Sequence, residues 1–246
     1  MIYILLSLVL FMIASVYLHY LAYEKKRRFI KSNLFLLNLG LFCLIFFVEA
    51  YFLIYNKGLI SDLDILINSW IRNIWNPELI GFMTFVTKFG DNLSLIFFFA
   101  LLLGILIYSD LKGSKKLKKT FYLEFFVILA MGLVLDFTVK NIVDRHRPMG
   151  GLISASGSSF PSGHALMAAI LFFMLIYFFS GCIKNKSFRA VFVLACISLA
   201  LLIGASRVYL RVHWFSDVLG GFLFGIFAGC FSIIGINFLK RKNKQA

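Results

Sequence analysis

The sequence predicts an all-α protein: a polytopic membrane helix bundle with seven candidate transmembrane runs. Three observations carry that prediction. Of 246 residues, 61% are hydrophobic and 15% charged, against roughly half and a quarter in a soluble domain. The apolar residues gather into seven runs, at 2–23, 33–55, 92–109, 121–139, 164–182, 190–206 and 217–239, and about 20 residues cross a hydrocarbon core. The Lys and Arg residues crowd into alternate connections between those runs.

Run 2–23 has neither a basic stretch before it nor a small-residue cleavage site after it, so it reads as a retained helix. The basic loop "EKKRRFIKS" (24–32) follows. The whole of 1–246 reads as a single membrane domain without internal repeats. After run 33–55 comes "DLDILINSWIRNIW" (62–75). It sets Leu63, Leu66, Ile67, Trp70, Ile71 and Ile74 at helical spacing against Asp62, Asn68, Ser69, Arg72 and Asn73. With Trp70 and Trp75 it is expected to lie flat in the outer interface. Runs 92–109 and 121–139 flank "DLKGSKKLKK" (110–119), runs 164–182 and 190–206 flank "KNKSFR" (184–189), and "KRKNK" (240–244) closes the chain.

Those four basic stretches hold 17 of the 25 Lys and Arg and mark one side as cytoplasmic. The net charge of +14 therefore reports membrane orientation, and no nucleic-acid partner is expected. Cys43, Cys182, Cys196 and Cys230 lack paired spacing and read as small core residues, not disulfides or metal ligands.

The other side of the membrane carries three polar stretches at the ends of apolar runs. They are "KNIVDRHRP", with Lys140 and Arg147; "PSGH", with Ser162, Gly163 and His164; and "SRVYLRVHWFSD", with Ser206, Arg207, His213 and Asp217. Snorkelling explains one or two cations at such a face, but not this set. An anionic ligand explains it. Arg offers a fork matched to phosphate oxygens and Lys a compact charge. "SGH" leading into a helix adds backbone N–H groups and a positive dipole end. His213 and Asp217, four apart, share a helical face on which the carboxylate can hold one ring nitrogen and leave the other nucleophilic. An Asp that merely caps the last helix is the alternative for that pair taken alone.

The order Lys140–Arg147-Pro148, Pro161-Ser162-Gly163-His164, Ser206-Arg207–His213–Asp217 resembles the tripartite signature of the type 2 phosphatidic acid phosphatase superfamily, with every defining position matched. The last six runs resemble the six-helix core of that family, so the resemblance implies a core at 33–246, with 1–32 as one additional N-terminal transmembrane helix and its basic loop. The resemblance also implies that His213 attacks phosphorus and becomes phosphohistidine while Asp217 holds its tautomer. It implies that His164 protonates the leaving oxygen and then activates water. Lys140, Arg147, Ser162, Gly163, Ser206 and Arg207 would bind the phosphate, with no metal and no cofactor required.

The expected function is thus a membrane lipid phosphatase acting on a lipid monoester or diphosphate at the external face of the cytoplasmic membrane. Undecaprenyl diphosphate and phosphatidylglycerol phosphate lead as substrates, and membrane lipids are the only other partners expected. A lipid A phosphatase or a lipid phosphoryl transferase would carry the same residues. An anion-binding transporter is the alternative from another class, and it would place more polar residues in mid-helix than these runs hold. Beside the signature, Arg145, His146 and Arg211 are expected on a solvated loop face. Asp136 is expected to pair with Lys140, and Glu49 and Glu124 to be interfacial or paired.

Overall fold

The computed structural model describes residues 2–25, 28–56, 58–91 and 120–242, with scattered positions between 93 and 108. The expected run 92–109 and basic loop 110–119 lie largely outside the described residues, as does the side chain of Glu124. The described residues form α1 (Ile2–Tyr23), α2 (Arg28–Tyr55), α3 (Leu59–Asn73), α4 (Pro77–Lys88), α5 (Thr120–Ile142), α6 (Gly163–Phe179), α7 (Lys186–Tyr209) and α8 (Phe215–Lys242), with a 3-10 turn at Ser180–Cys182. Among these, α1, α2, α6, α7 and α8 are long and apolar enough to cross a membrane, and α5 runs for 23 residues. The chain is a multi-pass helical membrane protein.

Every helix that lies on a predicted run starts or ends within a few residues of it. Helix α4 is the exception, because no apolar run marks it. Its signal is at its start: Asn76 Oδ1 accepts from the Leu79 amide at 2.7 Å and Pro77 occupies the first turn.

Helix α6 is the axis of the bundle, buried from Ala165 to Leu171 and again at Met174. It packs chiefly against α8, and α2 covers the far side of α8. The close approach needs small residues. A Cβ added at Gly221 or Gly225 of α8 would lie 2.6 or 2.5 Å from the backbone oxygen of Ser162 or Leu166, the type of contact that drives helix association in lipid. The core then fills with Phe47, Ile128, Phe160, Met167, Ile170 and Phe224.

Helix α3 buries Asp64, 2% exposed, and leaves Leu66 and Trp70 more than half exposed. Two sequence expectations need correction here. Glu49 is buried on α2 with neither carboxyl oxygen hydrogen-bonded among the described residues, so the expected pairing is not formed there. Cys182 is exposed at the end of the 3-10 turn, unlike the buried Cys43, Cys196 and Cys230.

Candidate active site

Four helix ends meet at one end of the bundle: the end of α5, the start of α6, the end of α7 and the start of α8. Around them lies a cavity of about 560 Å³ whose lining includes Lys140, Arg147, Gly163, His164, Arg207 and His213. Six of the nine residues singled out from the sequence thus face one space. Residues of α4 and the turn after it (Thr84, Thr87, Lys88, Asp91) close the wall.

His213 is held most tightly. Its Nδ1 lies 2.7 Å from the carbonyl oxygen of Ser159 and 3.6 Å from Oδ2 of Asp217. A carbonyl can only accept, so Nδ1 carries the proton and Nε2 holds the lone pair. The Ser159 carbonyl is therefore the closer partner, and Asp217 lies behind it. Nε2 sits 3.2 Å from Nη1 of Arg147, whose guanidinium also donates to the carbonyls of Val212 (2.6 Å), Ser156 (2.9 Å), Gly157 (3.1 Å) and Ser158 (3.2 Å). Burial lowers the pKa of both His213 and Arg147. For the histidine this favours the neutral, nucleophilic ring.

Lys140 Nζ pairs with Asp136 Oδ2 at 2.8 Å, one turn apart on α5, as expected. A Cβ at position 163 would lie 3.0 Å from that Nζ and 3.1 Å from both Asp136 oxygens, so only glycine leaves this corner of the cavity open. Arg207 Nη1 donates to Thr87 Oγ1 at 2.5 Å, and its Nε has no hydrogen-bond partner among the described residues. His164 Nε2 lies 2.7 Å from Asp91 Oδ1, which accepts from it.

Three of the nine sit behind the cavity wall. Asp217 is wholly buried. Its Oδ2 accepts from the Ser159 hydroxyl and, at 2.7 Å, from the Trp214 amide, while its Oδ1 accepts from Arg145. The Ser162 amide donates to the Asp217 carbonyl at 2.9 Å, and its buried hydroxyl has no partner among the described residues. The Ser206 hydroxyl donates to the Ile203 carbonyl at 2.6 Å, one turn back on α7.

Arg145 and Arg211 depart from the solvated loop face expected of them. Arg145 is clamped between Asp64 and Asp217. Arg211 is 5% exposed, bonded to Asn68 of α3 and stacked 5.4 Å above the Trp75 ring. Asp64, Thr87, Asp91 and Ser159 were not singled out in the sequence. Only Asp64 left a trace there, as a charge within an amphipathic segment.

Comparison with known proteins sharpens this picture. Residues 121–241 match the family model of the PAP2 superfamily. Over that stretch the chain resembles the PAP2 superfamily. The three signature stretches, from Lys140 to Asp217, all fall inside the PAP2 match. Phosphatidylglycerophosphatase B of Bacillus subtilis (strain 168) is 38% identical over 96 residues, covering 38% of this chain and 47% of that protein. The chain thus spans about half the length of this curated relative. The undecaprenyl-diphosphatase of Sulfolobus acidocaldarius is 28% identical over 160 residues, covering 62% and 68%. A crystal structure of a transmembrane PAP2-type phosphatidylglycerolphosphate phosphatase from Bacillus subtilis superposes with a TM-score of 0.67 at 23% identity, over 82% of this chain and 96% of that one. At that identity the likeness concerns the PAP2 fold alone.

Proposed function

We propose that this protein is a membrane lipid phosphatase that hydrolyses a lipid phosphomonoester or diphosphate through a phosphohistidine on His213. One observation carries the reading. A buried histidine with its lone pair fixed on Nε2 shares a cavity with Lys140, Arg147 and Arg207.

The Nε2 lone pair attacks phosphorus, the P–N bond forms, and the bond from phosphorus to the lipid oxygen breaks. Protonated His164 gives its Nε2 proton to that departing oxygen. The Ser159 carbonyl and the Asp217 carboxylate face the Nδ1–H and stabilise the charge that builds on the ring. The neutral His164 then takes a proton from water as the water oxygen attacks phosphorus. The P–N bond breaks, and the products are inorganic phosphate and either a lipid alcohol, from a monoester, or a lipid monophosphate, from a diphosphate. Lys140, Arg147 and Arg207, with the amide of Gly163 at the α6 N-terminus, neutralise the equatorial oxygens throughout. Ser162 and Ser206 support this wall from behind.

A second cavity supports a lipid substrate. The groove of about 540 Å³ between α4, α6 and α7 is lined by Phe82, Phe85, Phe89, Leu175, Leu199, Ile203 and other apolar side chains. A Cβ at Gly90 would lie 2.7 Å from Cγ2 of Ile203 in the groove and 2.8 Å from Cδ2 of His164 in the catalytic cavity. One glycine separates the two spaces. Filling the groove with Leu199→Trp is expected to raise KM for a long-chain lipid phosphate roughly tenfold. Turnover of a short-chain soluble phosphate should change little, and an equal loss on both would exclude the groove as the tail site.

Orientation follows from the far end of the bundle. Asn33 near the start of α2 accepts from Asn237 near the end of α8 at 2.7 Å. The start of α2 and the end of α8, next to which the basic stretches 24–32 and 240–244 fall in sequence, therefore share one end, roughly 30 Å along α8 from Asp217, about a bilayer core. Positive residues mark the cytoplasmic side, which supports an external active site. The names of the relatives favour phosphatidylglycerol phosphate and undecaprenyl diphosphate as substrates.

The pH profile tests the nucleophile. Protonated His213 has no lone pair, and burial places its pKa below the ordinary 6.5. Activity is therefore expected to persist as pH falls through 6.5 and to be lost only below it. An acid limb in log(kcat/KM) centred above 6.5 would contradict this assignment.

A further inference from the structure

We propose that Arg145 and Asp64 are positioning residues for the nucleophile, a buried carboxylate–guanidinium–carboxylate chain that fixes Asp217 behind His213. The inference rests on the phosphatase reading and adds two residues to it. Asp64 comes from α3, outside the stretch that matches the family model.

Arg145 Nη1 donates to Asp217 Oδ1 and to the Ser216 hydroxyl (2.7 Å), and its Nη2 donates to Asp64 Oδ2 at 2.7 Å. Asp64 also accepts from the Ser216 amide at 2.9 Å and from its hydroxyl. The guanidinium therefore occupies one edge of the Asp217 carboxylate. The other edge is left to the Ser159 hydroxyl, the Trp214 amide and, at 3.6 Å, His213 Nδ1. Arg145 is committed to two carboxylates and does not line the catalytic cavity. It lines a separate space of about 530 Å³ with Asp64, His146, Tyr51 and Trp214. A role as a fourth phosphate ligand does not fit this geometry.

The charges alternate along the chain, and that gives the inference its signature. His213 faces Asp217, Arg147, Arg207 and the Ser159 carbonyl, with His164 across the cavity. Removing the Arg145 charge leaves Asp217 uncompensated, which favours protonation of His213. Neutralising Asp64 leaves Arg145 to act on Asp217 alone, which disfavours it. The two changes must move the acid limb in opposite directions.

The test uses the full chain in detergent with a long-chain lipid phosphate, and inorganic phosphate as a competing product. Arg145→Ala and Asp64→Asn are expected to lower kcat by about 10- to 100-fold. KM and the inhibition constant for inorganic phosphate should stay close to wild type, whereas Lys140→Ala should raise both. The acid limb should move up in Arg145→Ala and down in Asp64→Asn. Arg145→Lys should recover part of kcat. Limbs that move the same way or not at all would overturn the proposal, as would weakened phosphate inhibition in Arg145→Ala. If Arg145→Ala does not fold, Arg145→Lys and the near-isosteric Asp64→Asn carry the comparison. A wild-type protein inactive on every lipid would sink the phosphatase reading. The ¹⁵N histidine signals of His213, titrated in the same variants, would still show the opposite displacements or refute them.

Discussion

His213→Ala is expected to abolish phosphate release from every lipid substrate, with a fall in kcat of at least about 10⁴-fold. Losing a covalent nucleophile from a preorganised site leaves only the rate that binding and charge stabilisation supply. The cations remain in place in this variant, because Arg147 is held mainly by the carbonyls of Ser156, Gly157, Ser158 and Val212 rather than by the histidine. Inorganic phosphate should therefore still bind. Wild-type release should survive EDTA, since the proposed scheme neutralises the phosphate with Lys140, Arg147 and Arg207. A variant that keeps a tenth of the activity would mean that another group attacks phosphorus.

Arg147→Lys is the second large effect. The guanidinium does two jobs here. It draws the loop 156–158 onto the turn before α8 through four carbonyls, and it presents Nη1 3.2 Å from the nucleophilic nitrogen. An ammonium group has one centre and cannot span that set, so the substitution is not conservative. Loss of a preorganised donor of this kind costs about 10²–10³ in kcat. The same change should lower the thermal midpoint in detergent, because the loop loses its anchor. Kinetics with the lipid substrate and an unfolding scan check both parts. Near-wild-type turnover would exclude Arg147 from the transition state.

Much of this molecule is legible in one dimension. Apolar runs announce the long helices because a helix in lipid must satisfy its own backbone, and the three signature stretches fall at the helix ends that meet. Helix α4 escaped because its 12 residues are too short to stand out as a span, although Asn76-Pro77 marked its start. It nevertheless supplies Thr87, which holds Arg207 from 120 positions away. The partners of Asp217 escaped for a related reason. Asp64 lies 152 positions from Ser216 and Arg145 lies 72 from Asp217, and no local pattern encodes such pairings. Arg145 looked like one more loop cation beside Arg147. What separates them is the pairing of Arg145 with two carboxylates, which only the folded chain creates. Ser206 illustrates the converse: it belongs to the signature, yet its hydroxyl turns back to its own helix.

The most direct test of the account is to trap the intermediate. Purified protein is mixed briefly with a lipid substrate carrying ³²P in its terminal phosphate, quenched in alkali and mapped by mass spectrometry. The account predicts label on His213, stable to base and released by acid as a phosphoramidate should be, and absent from His213→Ala. Label on another residue, or rapid wild-type turnover with no label on His213 at any quench time, would contradict it.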